Sequence, residues 1–140
     1  MTLSWRQIDR FNIEENVIMK LGAFSVSLTV KDIHKSQAFY LDIGFEQIGG
    51  DIEQGWLILK NDNSTIGLFQ GMFDKNLLTY NPGWNQDCSE QAEFTDIRAI
   101  QKHMEEKGIE VIQPVTSESG PGSMTIADPD GNLILIDQHV

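Results

Sequence analysis

The sequence predicts an α+β protein built from two βαβββ modules, and three observations predict it. Residues 25–48, SVSLTVKDIHKSQAFYLDIGFEQI, return without a gap as residues 89–112, SEQAEFTDIRAIQKHMEEKGIEVI, with seven of the 24 aligned positions identical. Each copy opens on a period-two alternation and then changes to helical spacing, the order of a strand followed by a helix. Each is followed by two apolar runs around a turn, GWLILKNDNSTIGLFQ and SMTIADPDGNLILIDQ, which align at a spacing of 68 residues.

In residues 25–30, Ser25, Ser27 and Thr29 alternate with Val26, Leu28 and Val30, so one face is polar and the other apolar. In residues 89–95, Gln91, Glu93 and Thr95 alternate with Ala92 and Phe94, which predicts the first strand of the second module there. The helices run from Asp32 to Gly44 and from Asp96 to Gly108. An Asp at a helix start accepts from orphan N–H groups, and a Gly at its end tolerates positive φ. Ile97, Ile100 and Met104 form an apolar stripe on the second helix, matched by Ile33 and Tyr40 on the first. His34 and His103 read as solvated helix residues. Short strands at 45–48 and 109–112 follow, then hairpins turning at Asn61-Asp62-Asn63 and Asp128-Pro129-Asp130-Gly131, residue types suited to tight turns.

The layout is therefore an N-terminal arm at 1–20, a first module at 21–70, a linker at 71–87 and a second module at 88–140. In the arm, Ser4 and Gln7 resemble a capping box, and Trp5, Ile8 and Phe11 have the spacing of a short amphipathic helix. The linker carries Phe73, Tyr80 and Trp84 and is long enough to be a lid, a pocket wall or a dimer contact.

At 140 residues the chain suits a single domain that buries roughly two-thirds of its unfolded surface. Cys88 is the only cysteine, which excludes an intrachain disulfide or a Cys-rich zinc site and suits a reducing, cytoplasmic setting. The net charge of −11 argues against nucleic acid or an anionic membrane as partner, because both are bound through excess Lys and Arg. The sequence holds no apolar run of the length that crosses a bilayer.

The two modules, the VKDI and FTDI junctions, the helix ends IGF and KGI, and the hairpin ADPDGNLILIDQ together resemble the vicinal oxygen chelate superfamily. That group comprises glyoxalase I, extradiol dioxygenases, fosfomycin resistance enzymes and bleomycin-binding proteins. The resemblance spans residues 21–140 and implies an incompletely closed, eight-stranded barrel-like sheet with helices on its outer face. It also implies four metal-ligand positions, which by counting from the matched motifs fall at Ser25, Gly67, Ser89 and Leu135. A hydroxyl, a hydrogen and an isobutyl group are not divalent-metal donors of the usual kind, so the expectation is no metal and no cofactor. A displaced set drawn from Glu93, Asp137 and His139 is the alternative way to hold one.

Strand alternation places Ser25, Ser27, Gly67, Phe69, Gln91, Glu93, Thr125, Leu135 and Asp137 on the inward faces, with Leu57 and Leu59 beside them. Hydroxyls, an amide and carboxylates among apolar groups make a small-molecule pocket. Trp84 either stacks on the ligand, plugs the cleft or anchors a dimer. The expected function is that of a glyoxalase/bleomycin-resistance-like homodimer binding a small organic molecule without a catalytic metal. The competing expectation is a lyase, isomerase or dioxygenase-related enzyme with displaced ligands, or one using Glu93 as acid or base. A third is an interaction subunit whose cleft is filled by Trp84 or by the N-terminal arm.

Overall fold

The computed structural model of the chain describes residues 19–140, so the expected helical arm lies outside the described residues except for its last two. The first half contains β1 (Ala23–Val30), α1 (Ile33–Asp42), β2 (Glu46–Asp51), a 3-10 turn (Ile52–Gln54), β3 (Trp56–Asn61) and β4 (Ser64–Gln70). The second contains β5 (Leu77–Asn81), α2 (Ile97–Glu106), β6 (Gly122–Ala127) and β7 (Leu133–Gln138). One mixed sheet runs in the order β2-β3-β4-β1-β5-β7-β6, with β2 and β6 at its open edges. β1 lies parallel to β4 and β5 parallel to β7, while β1 and β5 meet antiparallel at the centre. Each half thus pairs its first strand with its own last strand, and the first strands join the halves.

Each helix covers the outer face of its own half. Ile97, Ile100 and Met104 of α2 pack with Met124, Ile126 and Ile136, and Ile33 of α1 packs with Leu57, Leu59 and Leu68. Full burial of an aliphatic side chain of this size is worth about 1.5–3 kcal/mol, so these two clusters hold the helices in place. The helix starts repeat as expected: the Asp32 carboxylate accepts from the N–H groups of His34 and Lys35, and that of Asp96 from Arg98.

Three features of the sheet depart from the expected arrangement. The first strand of the second half is Leu77–Asn81, within the 71–87 segment expected to be a linker, whereas residues 89–95 form an irregular loop. Strand pairing shows why: Ser27 opposes Gly67 and Thr79 opposes Leu135, so Thr79 is the counterpart of Ser27, 52 positions on. Ile97 is the counterpart of Ile33, 64 positions on. Twelve residues are therefore inserted between strand and helix, and an ungapped repeat matches the helices but not the strands that precede them.

Among the described residues the sheet also has seven strands rather than eight. Residues 109–112 form no strand, and that place in the sheet is marked by a single bridge between Gln113 and Thr125. Pro114 has no N–H to extend the ladder, and the N–H of Val115 goes instead to the Gln101 side chain at 2.8 Å. Finally, Leu57 and Leu59 face the helices rather than the cleft. Leu57 opposes Leu68 and Ile58 opposes Gly67, so Trp56 and Ile58 belong to the inward face. The second hairpin has one more turn residue than the first, which throws an ungapped alignment out of phase on β3.

Candidate functional site

The concave face carries a cavity of about 320 Å³. Its position follows from strand alternation: Ser25 and Ser27 from β1, Thr65 and Phe69 from β4, Thr79 and Asn81 from β5, and Leu135 and Asp137 from β7 all project into it. β3 adds Trp56 and Ile58, and the loop after β4 adds Met72 and Phe73. The 82–96 loop supplies Trp84, Gln86 and Cys88, and His139 closes the set from beyond β7.

At the sheet centre the Ser27 and Thr79 hydroxyls are buried and 2.7 Å apart, joined by one hydrogen bond in which either can be the donor. Around it the walls are aromatic. The Phe69 and Phe73 rings lie tilted with centroids 5.2 Å apart. Gly67 makes room for the first of them: a Cβ there would stand 2.5 Å from Phe69 Cε2. The space left by the missing side chain is thus occupied by the neighbouring ring.

The inserted loop is tied to the sheet by side-chain amides. Gln86 imitates a missing strand at the end of β4, accepting from the Phe24 N–H at 3.0 Å and donating to the Phe24 carbonyl and to Thr65 Oγ1. The Trp84 carbonyl accepts from Ala23 N–H at 3.0 Å. Trp84 itself stacks on His139, with ring centroids 4.3 Å apart and planes 8° from parallel, while the cavity remains open beside it. His139 Nε2 lies 3.2 Å from Asp137 Oδ2, and both side chains keep about a third of their surface exposed, at 39% and 32%. Cys88 sits at positive φ (68°), and burial pushes its thiol pKa up against the opposing influence of Lys60.

Six of the ten residues expected at the site line this cavity: Ser25, Ser27, Phe69, Trp84, Leu135 and Asp137. Gly67 lies beneath the Phe69 ring. Gln91, Glu93 and Thr125 lie elsewhere: Gln91 bonds to Asn85 within the loop, Glu93 is exposed on that loop, and Thr125 bridges Gln113. Gln91 and Glu93 follow the misplaced strand. Thr79, Asn81, Trp56 and Ile58 were missed for the two alignment reasons given above, although LLTYN alternates as a strand should.

The positions implied as metal ligands supply no imidazole or carboxylate. Ser25, Gly67 and Leu135 lie at or under the cavity, Ser89 is exposed on the loop bonded to Asp87, and the residue opposite Ser25 across the sheet is Thr79. Among the described residues no group of three His, Cys, Asp or Glu side chains is close enough to hold a metal ion, so Glu93 does not join Asp137 and His139. The donor set does not fit the metal site of the superfamily.

No family model matches the sequence, and no curated protein matches it. Solved structures do. A glyoxalase/bleomycin resistance protein/dioxygenase superfamily member from Vibrio splendidus 12B01 superposes with a TM-score of 0.57 at 18% identity, covering 82% of this chain and 97% of that one. The hypothetical protein BH1468 from Bacillus halodurans C-125 gives 0.59 at 15% identity, with 86% and 94% covered. Catechol 2,3-dioxygenase gives 0.54 at 19% identity, covering 87% of this chain and 40% of that one. These superpositions, each over more than four-fifths of this chain, show its fold: the chain has the vicinal oxygen chelate fold.

Proposed function

We propose that this chain binds a small organic molecule in its concave cleft without a catalytic metal. One observation carries the reading: an open cavity of about 320 Å³, walled by aromatic and aliphatic groups with a few hydroxyls and amides, occupies the place where the fold's metal ligands are absent. Pockets of that size and makeup enclose drug-sized ligands, with apolar walls for affinity and sparse polar groups for orientation. The open strand edge of β2 and the exposed apolar side chains Phe39 and Ile43 support its working as a homodimer. No helix of the described residues is long and apolar enough to cross a membrane, the single cysteine suits a cytoplasmic setting, and the charge of −11 argues against a nucleic-acid partner.

The test is calorimetric titration of chelator-treated protein with a panel of small aromatic compounds, alongside Trp56→Ala and Phe69→Ala. Binding that survives chelation and weakens in both variants is expected. A requirement for added divalent metal, or affinities unchanged in both variants, would overturn the reading.

A further inference from the structure

Resting on that reading of the cleft, we infer that the ligand is a flat aromatic molecule bearing one positive charge, received by Asp137. Among the described residues the cavity wall contains no Lys or Arg, and Asp137 is its one carboxylate. Lys60 is felt at the rim by Cys88, but Asp87 acts on the same thiol with opposite sign. The described residues of the interior therefore carry a single fixed charge, and it is negative. Asp137 faces the imidazole of His139, which offsets that charge only when protonated.

The remaining walls reinforce the sign. Trp56, Phe69 and Phe73 present π-systems, whose negative faces attract cations and repel anions. Trp84 is already stacked on the His139 ring, and His139 in turn lies beside Asp137. A cationic head against a carboxylate, with its ring among aromatics, satisfies both parts of the site. An anionic ligand would meet the carboxylate and the ring faces with no Lys or Arg among the described wall residues to neutralise it.

Three compounds sharing one ring and differing in charge test this: 2-naphthylmethylammonium, 2-naphthylmethanol and 2-naphthoate, titrated calorimetrically into the full chain. The ammonium should bind about tenfold more tightly than the alcohol, and the carboxylate more weakly than either. Asp137→Asn should bring ammonium and alcohol to equal affinity. Asp130→Asn, which changes net charge equally on an exposed turn away from the cavity, should leave the preference intact. Thermal melting verifies that both variants fold. Equal affinity for ammonium and alcohol in the unmodified protein would overturn the charge assignment and leave the cleft reading standing. So would a preference that survives Asp137→Asn or falls equally in Asp130→Asn. Failure of all three compounds to bind would overturn the cleft reading with it.

Discussion

Gln138 repeats the bond made by Gln70: each side-chain oxygen accepts the N–H of the first residue of its half's helix, from Ile97 and from Ile33, both at 2.8 Å. In each half the last strand thereby caps the helix that follows the first strand, and the Asp before that helix accepts from the next N–H groups. The two glutamines are not equally committed. Gln138 is 1% exposed and also donates to Asp96, the Gly120 carbonyl and the Val140 carbonyl, whereas Gln70 is exposed. Gln138→Leu should therefore destabilise the protein by about 2–3 kcal/mol, by leaving a buried N–H without a partner, and Gln70→Leu by less than about 1 kcal/mol. Urea unfolding midpoints at constant slope measure both, and equal losses would contradict the assignment.

Asp96 makes the same junction sensitive to acid. Burial raises its carboxyl pKa, but the Arg98 N–H, the Gln138 amide and the Arg98 guanidinium together outweigh burial and hold it below its ordinary value. A folded-state pKa below the unfolded one adds stability that is present above the unfolded pKa and is lost as pH falls through the folded one. The parent protein should thus lose more stability between about pH 5 and pH 2 than Asp96→Asn does. Melting temperatures followed across that range give the comparison, and parallel curves would remove Asp96 from the account.

How much of this was legible beforehand depended on whether the two halves kept equal spacing. The helices did: Asp32 and Asp96, and Ile33 and Ile97, stood out in the ungapped repeat at a spacing of 64, and Gln70 with Gln138 in the hairpin alignment at 68, because helix and last strand shift almost together. Ser89 matched Ser25 by identity and yet lies on a loop, because twelve inserted residues separate β5 from α2. Leu57 and Leu59 were assigned to the wrong face because a longer second turn moves β6 one residue out of phase with β3, and a one-residue shift exchanges faces. The cavity residues on β1, β4 and β7 survived both effects, being the strands whose register the motifs anchor. The role of His139 was not legible, since its stack on Trp84 joins the chain end to the inserted loop.

That change of face separates stability from binding on one strand. Leu57 is fully buried in the α1 cluster, whereas Ile58 projects into the cavity. Leu57→Ala should cost about 2–5 kcal/mol of stability, and Ile58→Ala less than about 1.5 kcal/mol while altering ligand affinity. Chemical denaturation of the two variants distinguishes the faces, and a greater loss at Ile58 would reverse them.

Gly67 provides a test of cavity shape. A methyl group there would meet the Phe69 ring at 2.5 Å and Ile58 Cδ1 at 3.5 Å, so the ring, packed against Phe73, must shift within the cavity wall. Gly67→Ala should destabilise the fold by about 1–3 kcal/mol and reduce aromatic-ligand affinity more than Thr65→Ala does. Restoration of affinity in the double variant Gly67→Ala with Phe69→Ala would trace the loss to the displaced ring; no restoration would place it elsewhere.

Cys88 reports occupancy, because it lines the same cavity. Burial raises its pKa, which leaves less thiolate at neutral pH than a free cysteine has, and the thiolate is the species that reacts. Iodoacetamide should therefore modify Cys88 several-fold more slowly than free cysteine at pH 8, and unfolding in urea should abolish the difference. A ligand seated beside Trp84 and Asp137 covers the thiol from the cavity side, so saturating 2-naphthylmethylammonium should slow alkylation further, in proportion to its calorimetric occupancy. Mass spectrometry of timed, quenched samples gives both rates. An alkylation rate indifferent to a compound that binds with measurable heat would place that compound outside the cavity.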